Sequence, residues 1–178
     1  MDPTIQIRLL GVRGTLPVHG GDFASFGGGT SCVLVWAGGE TIILDAGTGL
    51  SGRAWQAFHP QRHCSMLITH AHVDHLMGFP PFGPLFDPTV RCDVYLKTRE
   101  GRSAREQMET LMAPPLWPVR TDSMKADLRF HDVPGAFSIG PVEIKTMESR
   151  HPGGSTIYKN TYGGRAVVYA THYEPESD

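Results

Sequence analysis

Four potential metal ligands fall within six consecutive residues, His70, His72, Asp74 and His75, directly behind the apolar run 65–69. Few features constrain a chain more. Imidazole and carboxylate are polar groups that cost free energy when buried, and the end of a buried strand tends to bury the next few residues too, unless something binds there. In extended backbone, side chains at i and i+2 point to one side, so His70 and His72 can grip one ion together. If the chain then turns into a helix, Asp74 and His75 project differently and reach a second ion nearby. Neutral imidazole and carboxylate both suit zinc, manganese or iron.

The rest of the sequence reads as a strand-rich α/β (α+β) chain of one domain, 1–178. Ile5, Ile7 and Leu9 alternate with polar residues, which predicts a strand. Residues 32–36 and 41–44 predict a hairpin around Gly38-Gly39. Leu50, Ala54 and Phe58 recur every four residues, which predicts a short helix closed by Pro60. Ser65–Thr69 and Asp93–Leu96 predict two further strands. Ser103 and Glu106 form a capping-box pattern ahead of Met108, Leu111 and Met112, so 103–112 is expected to be helical. Residues 137–147 and 156–171 predict two hairpins, with turns at Gly140-Pro141 and Gly163-Gly164. This order implies a mixed sheet.

Composition removes several alternatives. Lys and Arg number 16 against 18 Asp and Glu, a net charge of −2, so no basic field holds nucleic acid non-specifically. Three cysteines, Cys32, Cys64 and Cys92, lack CxxC spacing and argue against both a disulfide framework and a thiolate zinc site. Reduced thiols and a first segment without a basic or apolar run lead to the expectation of a cytoplasmic protein. No stretch approaches the ~20 apolar residues of a membrane span.

The run His70-Ala-His-Val-Asp-His75 resembles the HxHxDH motif of the metallo-β-lactamase superfamily. Gly11-Val-Arg-Gly-Thr-Leu-Pro17, Gly29-Thr-Ser-Cys32, Leu44-Asp-Ala-Gly-Thr-Gly49, Gly78-Phe-Pro80 and His151-Pro-Gly-Gly154 extend the resemblance to the ribonuclease Z and phosphodiesterase-like branch. It implies an αββα sandwich with one or two divalent ions, zinc first and manganese or iron as alternatives. His151 would join His70 and His72 at the first ion. Asp74 and His75 would serve the second, with Asp74 also handling the proton of the attacking water. Asp45 would orient ligand histidines. The implied activity is metal-dependent hydrolysis of a small-molecule or nucleotide phosphodiester, such as a cyclic nucleotide or an RNA end. Lactone or thioester hydrolysis, and a degenerate metal-binding module without activity, are the rivals.

Two departures from that family stand out. His172 occupies the slot that usually holds a metal-bridging aspartate. The family fold also continues through further strands and a late histidine, so the fold is expected to be incomplete at its C-terminal end, and either a homodimer or partner chain closes it or the chain is a fragment. Outside these motifs, His19, His59, His63 and His131 are expected on the surface. Phe79, Phe82, Phe86 and Trp117 are expected to divide between core and substrate wall, and Arg150 to be either an anion contact or a surface residue.

Overall fold

A computed structural model describes residues 4–50, 62–172 and 174. The expected helix around Ala54 and Phe58 lies outside these residues, as does His59. Six strands form one mixed sheet in the order β1-β2-β3-β4-β5-β6: β1 (Ile5–Gly11), β2 (Cys32–Ala37), β3 (Glu40–Leu44), β4 (His63–Ile68), β5 (Arg91–Leu96) and β6 (Asp127–Asp132). β1 to β3 are antiparallel, and β3 to β6 run parallel. Four more strands make an antiparallel sheet in the order β10-β9-β8-β7: β7 (Ala136–Ile139), β8 (Val142–Ser149), β9 (Ser155–Tyr162) and β10 (Arg165–Tyr169).

The hairpins fall where the turn glycines put them. Gly38 and Gly39 both have positive φ, which a tight two-residue turn requires and which costs glycine nothing. The expected helix is α1 (Ala104–Leu111). Its capping box is complete: Glu106 N–H donates to Ser103 Oγ, and the Glu106 carboxylate accepts from the Ser103 N–H. Two orphan donors at the helix start are thereby satisfied.

Two apolar cores result. One lies between the sheets, where Val35, Leu44 and Leu67 meet Ile144 and Tyr158. The other lies on the far face of the six-stranded sheet, where Leu34, Met66 and Val94 pack on Met108 of α1, with Phe79 and Phe82 filling in from the loop after His75. Each fully buried aliphatic side chain contributes roughly 2 kcal/mol. Of the four layers expected, the described residues form three: helix and loops, sheet, sheet.

β6 was not expected. Its signal was present, since Leu128 and Phe130 alternate with Asp127, Arg129 and His131, but charged neighbours and a short span disguised it. The consequence concerns the histidines. His63 and His131 are not simple surface residues, because both ring Nε2 atoms reach the buried carboxylate of Asp93, at 2.8 and 2.6 Å. Phe79 and Phe82 are core, and Phe86 is exposed.

Parallel strands leave their C-terminal ends at one edge of a sheet, and ligand sites in such sheets gather at that edge. Asp45 follows β3, Thr69 and His70 follow β4, and Arg99 follows β5. The loop 150–154 between β8 and β9, and the segment after β10, arrive at the same edge from the second sheet.

Candidate metal centre

Asp45 is where the centre begins. It is fully buried and takes a left-handed backbone, φ 58, which short polar residues tolerate better than others. Its carboxylate accepts from Thr69 N–H at 2.7 Å and from Thr69 Oγ1 at 3.0 Å. It also accepts from His75 Nδ1 at 2.6 Å and from Tyr169 OH at 3.1 Å. Burial, and then the Asp45 charge, push the Tyr169 phenol above its ordinary value, so it stays a donor.

Those contacts aim two imidazoles. With Nδ1–H of His75 committed to Asp45, its Nε2 carries the lone pair. His70 Nδ1 lies 2.9 Å from Thr69 Oγ1, which is itself committed to Asp45. That relay leaves His70 Nε2 unprotonated. Nε2 is buried and has no hydrogen-bond partner among the described residues.

Local backbone holds the run in place. His72 is extended, and residues 73–75 then make one 3₁₀ turn closed by His75 N–H on His72 O. Thr30 Oγ1 donates to Asp74 O at 2.6 Å, and Ala46 N–H donates to His75 O at 2.8 Å. A β-carbon at residue 47 would fall 2.4 Å from Asp74 O, so this close approach requires Gly47. Thr15 N–H donates to Asp74 Oδ2 at 3.0 Å and fixes that carboxylate.

The second sheet supplies two more imidazoles. His151 Nε2 lies 3.0 Å from His72 Nδ1, and His172 Nε2 lies 2.9 Å from His75 Nε2. Ser149 Oγ donates to His172 O, and Glu174 N–H donates to Arg150 O, which ties the two segments together. His70 is the hub, with ring centroids of His72, His75, His151 and His172 at 4.4, 4.3, 4.7 and 5.2 Å. Asp74 Oδ2 lies 3.5 Å from His75 Nε2.

Two groups of three donors therefore converge: His70, His72 and His151, and His70, His75 and His172, each within 4.8 Å. Burial, followed by the neighbouring imidazoles, lowers the His70 pKa from its ordinary 6.5 to about 2. Burial lowers those of His72 and His172 as well. At His75 burial opposes protonation, but the Asp45 hydrogen bond and charge outweigh it and raise the pKa. Imidazole nitrogens that converge, with a buried orphan nitrogen among them, are unfavourable by themselves and favourable around a cation.

Residues 26–159 match the family model described as the Metallo-beta-lactamase superfamily. The chain belongs to the metallo-beta-lactamase superfamily. That fold implies divalent metal ions, often zinc, and the donor set fits them. The chain is 22% identical over 158 residues to Ribonuclease Z of Natronomonas pharaonis, covering 87% of this chain and 47% of that protein. It therefore spans about half the length of the curated relative it matches. The metallo-beta-lactamase fold protein YhfI from Bacillus subtilis superposes with TM-score 0.70 at 20% identity, covering 95% of this chain and 62% of the other. Human tRNase Z, short form, superposes with TM-score 0.60 at 17% identity, covering 93% and 68%. These likenesses show the fold.

All six residues singled out as ligands in the sequence meet at this edge. Arg150, His19 and His63 do not line the cleft that opens from it. That cleft, of about 410 Å³, runs from His70 and His72 past the end of α1 to Gly154. Arg102, Leu111 and Leu116 on its wall were not anticipated from the sequence, because no motif marks them. Thr69 and Tyr169 were not anticipated either, though a threonine and a tyrosine closing apolar strands beside a buried aspartate are the available signal.

Proposed function

We propose that this chain is a metal-dependent hydrolase whose divalent centre activates water, and that its substrate is a phosphodiester such as a cyclic nucleotide or an RNA end. The observation that carries the reading is the convergence of imidazole nitrogens, one of them buried and orphaned, beside an open cleft that His70 and His72 line. His70 Nε2, His72 Nδ1 and His151 Nε2 would hold one ion. Asp74, His75 Nε2 and His172 Nε2 would hold the other. Zinc is the first choice for both, with manganese or iron as alternatives. A divalent ion there supplies a lowered pKa for water and neutralises charge on the substrate oxygen.

The chain's own groups do the rest. Asp74, steadied by the Thr15 N–H, takes up the proton of the attacking water. Asp45 keeps His70 and His75 in the tautomers that present their lone pairs inward. Arg102, whose Nη1 donates to Thr110 Oγ1 at 3.4 Å, offers its guanidinium to an anionic substrate, and Leu111 and Leu116 receive the substrate's apolar part. The phosphodiester preference is supported by the ribonuclease Z relative and the tRNase Z likeness. Free, buried Cys32, Cys64 and Cys92 support a reducing, cytoplasmic setting. No helix of the described residues is long and apolar enough to cross a membrane.

One observation favours a second reading. His172 brings one donor atom where a carboxylate would bring two, so this side chain would serve one ion and not join a pair. The second ion then binds more weakly than the first, and a one-ion module without turnover becomes the rival. The test is a panel of bis(4-nitrophenyl) phosphate, a cyclic nucleotide, a short RNA, a lactone and a thioester, each with added Zn²⁺ or Mn²⁺. Metal-dependent phosphodiester turnover is expected, falling roughly 10²–10⁴-fold in Asp74→Asn. Turnover of the lactone or thioester alone would overturn the substrate class, and no turnover by a metal-loaded chain would favour the module.

A further inference from the structure

We infer that Arg99 is a positioning residue that sets His151 against His70 and His72, an inference that rests on the reading of His151 as a metal ligand. Four of the six donor residues come from one short run, 70–75. His151 comes from the other sheet, on a loop of glycine and proline between β8 and β9. Gly153 and Gly154 both have positive φ, and Gly154 N–H donates to His151 O at 2.7 Å, so the loop turns on itself without reaching the other sheet. Thr156 N–H on Thr69 O at 2.9 Å joins the two sheets just after the loop, and the loop itself needs a further hold.

Arg99 spans that gap. It ends β5's extension at a tight turn, where Arg99 and Arg102 exchange backbone hydrogen bonds at 3.1 and 2.8 Å around Glu100 and Gly101, both at positive φ. The turn presents the guanidinium to the His151 loop. Nη1 donates to Glu148 Oε1 at 2.6 Å, just before the loop, and to Gly153 O at 3.4 Å, within it. Nη2 donates to Thr156 Oγ1 at 2.9 Å, just after it. One planar fork thus grips the loop's entrance, body and exit, a geometry that an ammonium cannot reproduce.

Two further facts point the same way. A β-carbon at residue 154 would lie 2.0 Å from Arg99 Nη1 and 2.6 Å from Glu148 Oε1, so the fork passes through the space a side chain there would need. Arg99 is only 13% exposed, and its Nε is buried without a partner among the described residues. Burying a guanidinium in that state is destabilising in itself and is offset through the Nη contacts.

The neighbouring Lys97 is a built-in control. Its Nζ donates to Glu148 Oε2 at 2.7 Å, so it makes a pair with the same carboxylate, from the same strand end, without touching the His151 loop. Zn²⁺ affinity measured by chelator competition on the full chain separates the two. Arg99→Met should weaken Zn²⁺ binding roughly 10–100-fold, the usual cost of losing a group that orients a ligand. Arg99→Lys should fall between, and Lys97→Met should stay within about twofold of wild type. Thermal unfolding of the metal-free proteins reports general damage separately from the loss of Zn²⁺ affinity.

Equal Zn²⁺ affinity in Arg99→Met and Lys97→Met would overturn the inference. Should Arg99→Met not fold, Arg99→Lys replaces it, and an affinity equal to that of Lys97→Met overturns it likewise. His151→Ala is measured alongside. If it leaves Zn²⁺ affinity unchanged, the ligand reading fails and this inference with it. If it weakens binding while the Arg99 variants do not, the inference alone fails.

Discussion

The six-stranded sheet carries two clusters of histidine and carboxylate, one just past the ends of β3 and β4 and one on β4, β5 and β6 around Asp93, and they differ in one respect that decides their chemistry. Around Asp93, 1% exposed, every nitrogen that faces the carboxylate is spent on it. Arg91 Nε and Nη2 donate at 2.7 and 3.2 Å, and His63 Nε2 and His131 Nε2 lie at 2.8 and 2.6 Å. Around Asp45 the carboxylate is equally satisfied, but the imidazoles it orients turn their second nitrogens toward one another. One cluster is closed by its own hydrogen bonds and the other is complete only with a cation. Counting histidines does not separate them, whereas tracing each ring nitrogen to its partner does.

Substitutions test that difference. The largest effect is expected from His70→Ala, which removes the hub shared by both donor groups. Zinc affinity by chelator competition should fall roughly 10²–10³-fold, one ligand's share of a typical site. Asp45→Asn comes next. It leaves His70 and His75 without the anchor that fixes their tautomers, and affinity should fall roughly 10–100-fold.

Asp93→Asn should do the reverse, disturbing stability and sparing metal. Burial opposes ionisation of Asp93, but Arg91, then His131 and His63, outweigh it and lower its pKa from the ordinary 3.8 to about 2. The folded value lies below the unfolded one, so ionised Asp93 stabilises the fold above about pH 4, and that contribution is lost as pH falls toward 2. By linkage it amounts to about 2 kcal/mol at neutral pH. Asp93→Asn should therefore unfold at lower denaturant at pH 7, while the gap from wild type closes in acid. Unchanged stability at pH 7 would show that the cluster is not the closed unit described. The smallest effect belongs to His131→Gln, whose ring is 38% exposed, with a stability loss below about 1 kcal/mol and no change in zinc affinity.

Much of this was legible in the sequence because it is local. The strand ahead of His70, the capping box at Ser103 and the glycine turns at 38–39 and 163–164 each depend on residues within a few positions, and each appears where the pattern put it. The six candidate ligands were named from their motifs, and the structure brings them to one edge. β6 was hidden because its alternation runs through Asp127, Arg129 and His131, of which Arg129 pairs with Asp127 and His131 reaches Asp93 on the neighbouring strand. Arg99 was hidden for a related reason, since its partners Glu148 and Thr156 lie 49 and 57 residues away and nothing in the sequence around it marks the encounter.

X-ray absorption at the zinc edge of the zinc-loaded chain addresses the central claim most directly, because it reports what surrounds the ion. The account predicts a nitrogen-rich shell with the scattering pattern of three imidazoles, lost in His70→Ala and unaltered in a His63→Ala, His131→Ala double variant. A shell of oxygens alone, or one that survives removal of His70, would contradict it.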